Sequence, residues 1–235
     1  MSQKNNVWQF EDYEIKYNEA YDNEFYQNFT NNFQKNTKKR LFYKFIKRSF
    51  DIFASLFALI ILSPLLLGIA IAIKIDSKGP VLFKQNRIGL NGKIFTIYKF
   101  RSMRIDAPHD KDTEGFDDPD RYYSKVGKFI RKTSLDEFPQ FFNILKGDMS
   151  FIGYRPVLVS EEASKQCNEL RNALGVFEMR PGISGYAQVL GRDDVYHKNK
   201  ALMDAYYVKN ASVLMDLILI FLTVKVVLCR DGNVS

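Results

Sequence analysis

The sequence contains little cysteine and histidine, and this scarcity excludes several classes of protein. Of 235 residues, only Cys167 and Cys229 are cysteines and only His109 and His197 are histidines. Their scattered positions do not match the ligand spacing of a structural zinc site. Two cysteines are too few for a disulfide scaffold, which fits a reducing compartment.

The composition is that of a folded chain with a basic excess. Lys and Arg number 34 against 27 Asp and Glu, a net charge of +7, and 46% of the residues are hydrophobic. This excludes a mostly disordered or collagen-like chain. The charge is compatible with nucleic acid, an anionic membrane surface or a phosphate-rich substrate. Nucleic acid is the weakest of the three, because no recognised nucleic-acid motif occurs and the basic excess borders a long apolar segment.

That segment, residues 52–73, carries no charge. As a helix it would be about 33 Å long, against roughly 30 Å for the hydrocarbon core of a bilayer. Both flanks are basic, so the positive-inside rule favours the cytoplasmic side for both ends. Pro64 at its middle is expected to bend the helix, and the Ser63 hydroxyl to satisfy a freed backbone group. A helix that enters one leaflet and returns, or an ordinary kinked transmembrane helix, would fit these features.

The apolar segment divides the chain into three parts. Residues 1–37 are rich in Asn and acids and carry aromatic residues three or four apart, which predicts a helical extension. Its aromatic stripe would pack on its own domain or, alternatively, on a partner or a membrane surface. Residues 38–80 form the basic-flanked membrane helix. Residues 81–235 make up the third part, which is long enough to fold as a globular domain.

Local patterns predict several elements of that third part. Strands are expected at 81–85 and 93–98, joined by Asn91-Gly92, a strong hairpin signal. Residues 160–174 read as a helix. Residues 213–228 form an apolar helix that lies either at the membrane interface or in the core.

Two adjacent acids, Asp136 and Glu137, follow the basic pair Arg131 and Lys132. Ser134 and Glu137 match a capping box, so a helix is expected to start here. Pro139 would fit that helix better if Asp136 were the cap, and in either case both acids lie in its first turn. A helix N-terminus beside cations can seat a phosphate. The two carboxylates could hold a divalent cation. Alternatively, one could attack phosphorus while the other transfers protons or binds a metal ion. Alternatively, both acids only stabilise the helix start, a common role in first turns.

Arg155 and Arg180 each precede a proline, which holds the arginine backbone extended. Guanidinium groups of this kind bind phosphate oxygens in pairs, although surface arginines at turns would look the same in the sequence.

Several long stretches resemble, in order, the bacterial sugar transferase family, the monotopic polyprenyl-phosphate phosphoglycosyl transferases. They are the apolar segment with Ser63-Pro64, GPVLFKQNRIGLNGKIFTIYKFRSM (79–103), GKFIRKTSLDEFPQFFNILKGDMSFIGYRP (127–156), RPGISGYAQVLGRDD (180–194) and the tail from Asp204 through Leu228. The resemblance covers about residues 41–230. It implies that residues 81–235 are a small cytosolic catalytic domain of the α/β (α+β) class. It also implies a re-entrant membrane helix broken at Ser63-Pro64 and interfacial amphipathic helices, at the inner membrane of a bacterium.

The resemblance also implies transfer of a sugar-1-phosphate from a UDP-sugar to undecaprenyl phosphate, with release of UMP, as the first membrane step of glycan assembly. It assigns Asp136 as the nucleophile of a phosphosugar-aspartyl intermediate. It assigns Glu137 to metal binding or proton transfer, with Mg²⁺ held by both acids. Phosphoryl transfer of this kind depends on charge neutralisation and positioning. Candidate residues for the phosphates are Lys99, Arg101, Arg131 and Arg155, and for the nucleotide or sugar Gln188 and Arg192.

Two residues depart from the family pattern. Tyr154 stands where the family usually has the first proline of Pro-Arg-Pro. The loss of this proline is expected to leave the orientation of Arg155 less restricted. Asp193 stands where the family often has Asn, so contacts with the sugar are expected to differ. The rival function is a membrane-anchored binding protein without chemistry. A homo-oligomer is compatible with either function.

Overall fold

The computed structural model describes residues 37–107, 119–159, 162–190 and 197–229. The helical extension predicted for residues 1–37 lies outside these ranges, apart from Thr37 at the start of the first helix.

The first helix, α1 (Thr37–Asp76), runs for 40 residues and contains Pro64. The Ser63 hydroxyl donates to the carbonyl oxygen of Ile60 at 2.8 Å. This carbonyl is the acceptor that loses its partner because Pro64 has no N–H, so the predicted role of Ser63 is confirmed. Among the described residues, one helix is long and apolar enough to cross a membrane, and it is this one.

Both ends of α1 contact the globular part of the protein, while its middle is exposed. Just before the apolar segment, the Asp51 carboxylate accepts hydrogen bonds from the Ser150 hydroxyl at 3.0 Å and the Phe151 N–H at 3.1 Å. At the other end, Ile73 is buried and the Asp76 carboxylate accepts a hydrogen bond from the Val126 N–H at 3.0 Å. The exposed apolar side chains between these anchors are Phe53, Leu56, Phe57, Ile60, Ile61, Leu65, Leu67 and Ile71.

The predicted hairpin follows α1. Strands β1 (Leu82–Ile88) and β2 (Ile94–Phe100) pair antiparallel with Ile88 opposite Ile94, and both are longer than the sequence patterns indicated. In the connecting 3₁₀ turn, Leu90–Gly92, Asn91 has φ 55° and Gly92 has φ 73°. Asn and Gly tolerate this left-handed conformation, which explains why the pair marks the turn.

The remaining strands are short. Strands β3 (Ser150–Ile152) and β5 (Gly182–Ser184) pair in parallel, and β4 (Val157–Leu158) adds antiparallel to β1. The sheet orders among the described residues are therefore β2-β1-β4 and β3-β5.

Six further helices surround these strands in the described part of the chain, which is a mixed helix and sheet fold as expected. They are α2 (Lys125–Lys132), α3 (Gln140–Lys146), α4 (Glu162–Ala173), α5 (Tyr186–Leu190), α6 (His197–Asn210) and α7 (Val213–Cys229). The helices predicted at 160–174 and 213–228 correspond to α4 and α7.

Helix α7 is anchored on one face and exposed on the other. The Asp216 carboxylate accepts hydrogen bonds from Lys47 Nζ at 2.8 Å, Tyr43 OH at 2.9 Å and Tyr207 OH at 2.6 Å, which ties α7 to α1 and α6. Leu219 on the same helix is buried in the largest hydrophobic core cluster. The outward face is apolar and exposed through Leu214, Leu217, Ile218, Phe221, Val224 and Val227.

Candidate active site

The two adjacent acids lie on a 3₁₀ turn, Leu135–Glu137, between α2 and α3. The capping-box prediction is wrong, because Ser134 has φ 56° and its side chain makes no capping hydrogen bond within the described structure. Helix α3 begins only at Gln140, after Pro139. A proline inside a helix removes a backbone hydrogen bond and clashes with the preceding turn, so Pro139 is better accommodated before the first turn of α3 than inside a helix that starts at Ser134.

Each acid is paired with a cation from a different element. Arg131, in the last turn of α2, lies with Nη1 3.4 Å from Asp136 Oδ2. Lys99, near the end of β2, lies with Nζ 2.9 Å from Glu137 Oε1. The structure thus brings together four of the predicted site residues, although Lys99 and Glu137 are 38 positions apart in the chain.

The surroundings push the pKa values of the two carboxyls in opposite directions. Burial raises the pKa of Asp136, which is only 2% exposed, and Lys99 and Arg131 do not fully offset this effect. Burial alone would also raise the pKa of Glu137, but Lys99 and, after it, Arg155 hold that pKa at about 2. Neighbouring acids whose pKa values are separated in this way suit a division of roles. A carboxylate that its surroundings stabilise poorly is the better nucleophile.

Arg155 is the fifth predicted residue at this site. Its side chain is exposed, on the segment between β3 and β4, and its guanidinium is close enough to Glu137 to lower the pKa of that acid. An exposed guanidinium beside the acid pair is available to a phosphate ligand.

The other predicted site residues lie elsewhere or cannot be placed. The Arg101 guanidinium donates to the Ser77 and Lys78 carbonyl oxygens at 2.8 and 2.6 Å, which fixes the end of α1 beside the end of β2. The Gln188 side-chain amide on α5 is buried and makes no hydrogen bond to any described residue. Arg192 lies outside the described residues.

The carboxylates at the site are of the type that binds Mg²⁺. No group of three or more His, Cys, Asp and Glu residues gathers anywhere in the described ranges. Mg²⁺ is usually held by only one or two carboxylates, with substrate phosphates and water completing its shell. Asp136 and Glu137 fit such a site when a phosphate ligand supplies the remaining oxygens.

Two residues that sequence reasoning missed fix the acid turn in place. Asn143, fully buried on α3, accepts a hydrogen bond from the Tyr98 N–H at 3.0 Å and donates to the Thr96 carbonyl oxygen at 2.8 Å. Arg48 on α1 donates to the Ile144 and Leu145 carbonyl oxygens at the end of α3, at 2.7 and 2.9 Å. Asn143 is flanked by apolar residues in the sequence. An isolated amide among apolar residues is the sequence feature from which its buried structural role could be predicted.

Comparisons with known proteins agree with the resemblance. The family model described as bacterial sugar transferase matches residues 42–230. The chain is 42% identical over 205 residues to the undecaprenyl-phosphate galactose phosphotransferase of Salmonella typhimurium, covering 80% of this chain and 42% of that protein. It is 43% identical over 183 residues to the UDP-glucose:undecaprenyl-phosphate glucose-1-phosphate transferase of Klebsiella pneumoniae, covering 76% and 39%.

A shorter relative matches over most of its length. An uncharacterized sugar transferase of Bacillus subtilis is 39% identical over 188 residues, covering 80% of this chain and 89% of that protein. The chain therefore spans less than half of the Salmonella and Klebsiella relatives and most of the Bacillus one.

Proposed function

The chain belongs to the bacterial sugar transferase family, and on that premise we propose that it transfers a sugar-1-phosphate from a UDP-sugar to undecaprenyl phosphate. The products would be an undecaprenyl-diphosphate sugar and UMP. Several relatives are named as undecaprenyl-phosphate phosphotransferases, of galactose, N-acetylgalactosamine or glucose. The observation that carries the proposal is the adjacent pair of buried Asp136 and half-buried Glu137, flanked by Lys99 and Arg131.

In the proposed reaction, the Asp136 carboxylate attacks the β-phosphorus of the UDP-sugar. A carboxyl–phosphate bond forms, the bond from that phosphorus to the bridging oxygen breaks, and UMP leaves with the oxygen. A phosphate oxygen of undecaprenyl phosphate then attacks the same phosphorus and releases Asp136 as a carboxylate. A covalent intermediate lets a soluble donor and a lipid acceptor use one site in turn.

The cations around the acids would bind and neutralise the diphosphate. Lys99, Arg131 and Arg155 are the proposed phosphate ligands, with Arg155 the most exposed of the three. Arg101 is a weaker candidate, because its guanidinium already donates to backbone carbonyls. Gln188 and Arg192 remain proposed contacts of the nucleotide or sugar.

We propose Mg²⁺ as the cofactor, held by Asp136 and Glu137 together with the donor phosphates. When bound, it supplies charge neutralisation for the diphosphate and the departing UMP. Glu137, with its low pKa, stays charged throughout the pH range in which the enzyme would work and can keep a metal ligand in place.

The contacts of α1 favour a re-entrant membrane helix over a straight span. Asp51 and Asp76, near opposite ends of the apolar segment, both bond to the same small domain, and both flanks are basic. We therefore propose that the exposed middle of α1 dips into the cytoplasmic leaflet of the inner membrane. The outward face of α7 and the exposed Phe129 and Phe142 would lie at the same interface, which would bring the acid pair close to the lipid headgroups.

A cysteine-labelling experiment tests this topology. Cys167 and Cys229 are replaced by serine, and single cysteines are introduced by Arg40→Cys or Lys78→Cys. A membrane-impermeant maleimide should label both positions only from the cytoplasmic side. Labelling of the two positions from opposite sides would establish a true span instead.

A donor panel tests the activity itself. The purified full-length chain is incubated with Mg²⁺, undecaprenyl phosphate and a series of UDP-sugars, and UMP release is measured. We expect turnover with at least one donor, loss of turnover on adding a chelator, and loss in Asp136→Asn. The matched control is Asp120→Asn, which removes an exposed acid paired only with Lys128 on the described surface and should leave turnover unchanged. Release of no UMP from any donor would favour the non-catalytic binding protein.

A further inference from the structure

The segment that carries Arg155 is fixed on both sides of the arginine, even though it lacks the first proline of the family pattern. Tyr154 is fully buried, Pro156 is buried and Arg155 between them is exposed. Buried neighbours on both sides fix the backbone of Arg155, and with it the direction in which its side chain leaves the main chain.

Hydrogen bonds hold the main chain of this segment on both sides of Arg155. The Gly153 N–H donates to the Ser184 carbonyl oxygen at 2.9 Å, and the Tyr154 carbonyl oxygen accepts from the Gly182 N–H at 2.8 Å. On the other side, the buried Arg87 donates from Nη1 to the Pro156 carbonyl oxygen at 3.1 Å.

The Tyr154 side chain adds an anchor that a proline would lack. Its ring packs edge-to-face against Phe177 with the ring centroids 5.4 Å apart, and its hydroxyl donates to the Ile88 carbonyl oxygen at 3.4 Å. Ile88 pairs with Val157 in the sheet, so the hydroxyl bonds to the strand that also holds the far end of the segment. Burial of a large aromatic ring contributes several times more free energy than restriction of one backbone angle.

We infer that Tyr154 is a positioning residue that holds Arg155 against the acid pair, replacing the rigidity of proline by buried side-chain contacts. Arg87 supports the same segment from β1. The inference rests on the proposed function in that Arg155 is taken to bind the diphosphate of the sugar donor. It reverses the expectation that loss of the first proline leaves the orientation of Arg155 less restricted.

The test is a double-mutant cycle on the full-length chain. Tyr154→Leu removes the ring edge and hydroxyl, Tyr154→Phe removes the hydroxyl alone, and each is made with and without Arg155→Ala. The measurements are kcat/KM for the UDP-sugar, KM for undecaprenyl phosphate, and the Kd of UDP by calorimetry. Residues that act through one another give non-additive effects, whereas independent structural losses add.

We expect Tyr154→Leu to reduce donor kcat/KM and UDP affinity by about tenfold, the scale of one charge-assisted hydrogen bond. Tyr154→Phe should cause a smaller loss of the same kind, and KM for undecaprenyl phosphate should stay unchanged. In the Arg155→Ala background, both changes should have less than about a twofold effect. The control Val176→Ala lowers stability in the same core cluster and should leave donor binding unchanged.

Several results would separate this inference from the proposed function. Non-additive loss of UDP binding in a chain that shows no transfer would support the positioning role and contradict the reaction. Transfer by the wild type with additive effects of Tyr154 and Arg155 would overturn the positioning role alone. It would also be overturned if the wild type did not bind UDP, or if Tyr154→Phe, which preserves the packing, affected donor and acceptor equally.

Discussion

At the scale of single residues, Asp136 and Glu137 differ in how far the fold favours their charged forms. The pKa of Asp136 is raised from 3.8, chiefly by burial, so above pH 3.8 its ionisation costs the folded state free energy. The pKa of Glu137 lies at about 2 instead of 4.5, because Lys99 and Arg155 outweigh its burial. Its ionisation therefore stabilises the fold above pH 4.5, and this contribution is lost as the pH falls through about 2.

These signs predict opposite effects of neutralising the two acids. At pH 7 we expect Asp136→Asn to raise the Tm and Glu137→Gln to lower it, measured by thermal unfolding of the detergent-purified chain. The pKa change of Glu137 sets an upper limit of about 3 kcal/mol, reduced by solvent screening because its side chain is 21% exposed. The deficit of Glu137→Gln should shrink as the pH is lowered from 5 to 3. A fall in Tm with both substitutions would mean that burial does not disfavour the Asp136 charge.

The sequence identified which residue types form the site, but not all of their surroundings. Arg131 lies close to the acids in the chain, and Lys99 follows a strand that local patterns predict, so both were candidates. The environment of Arg101 depends on the end of α1 lying beside the end of β2. No pattern in the neighbouring sequence predicts this contact, because it joins segments that are distant in the chain. The spacing of Ser134 to Glu137 fits a capping box, but Ser134 has φ 56° and α3 begins only at Gln140, so the predicted helix start is wrong.

At the scale of elements, Pro64 is the feature of α1 that bears most directly on topology. Pro64→Leu restores the N–H that proline lacks and removes the clash with the preceding turn. We expect this change to favour a straight helix and to reduce cytoplasmic labelling of a cysteine at position 78. Ser63→Ala, which removes only the hydrogen bond to Ile60, should leave the labelling unchanged. Unchanged labelling in Pro64→Leu would contradict a role of Pro64 in the proposed topology.

One buried carboxylate ties α7 to both α1 and α6. Asp216→Asn leaves Lys47, whose side chain is 10% exposed, without its ionised partner. Breaking a buried pair of this kind costs about 3–5 kcal/mol, so we expect a marked fall in stability, measured by denaturant unfolding in micelles. The exposed pair Lys128–Asp120 is the control, and Asp120→Asn should cost less than about 1 kcal/mol. Equal losses for the two variants would contradict the structural role of Asp216.

The elements differ in how far local sequence determines them. The β1–β2 hairpin was predicted because Asn91-Gly92 encodes its turn and the two strands are adjacent in the chain. Strands β3 and β5, three residues each, were missed because their parallel pairing joins segments about 30 residues apart. Such short strands show no periodicity, and parallel pairs carry no turn signal.

At the scale of the whole molecule, α1 and the acid turn form one connected structure. Arg48 on α1 bonds to the end of α3, and Asn143 on α3 bonds to β2 beside Lys99. The depth of α1 in the bilayer would therefore set the height of the acid pair. This arrangement suits a reaction between a soluble nucleotide sugar and a phosphate at the end of a lipid.

The central claim is that Asp136 carries the phosphorylated sugar, and trapping tests it most directly. The full-length chain is mixed with Mg²⁺ and a UDP-sugar labelled in the sugar, without undecaprenyl phosphate, then quenched, digested and mapped by mass spectrometry. We predict that the label is attached to Asp136, that it is lost on adding undecaprenyl phosphate, and that Asp136→Asn acquires none. An active chain that never acquires the label, or acquires it at another residue, would contradict the assignment.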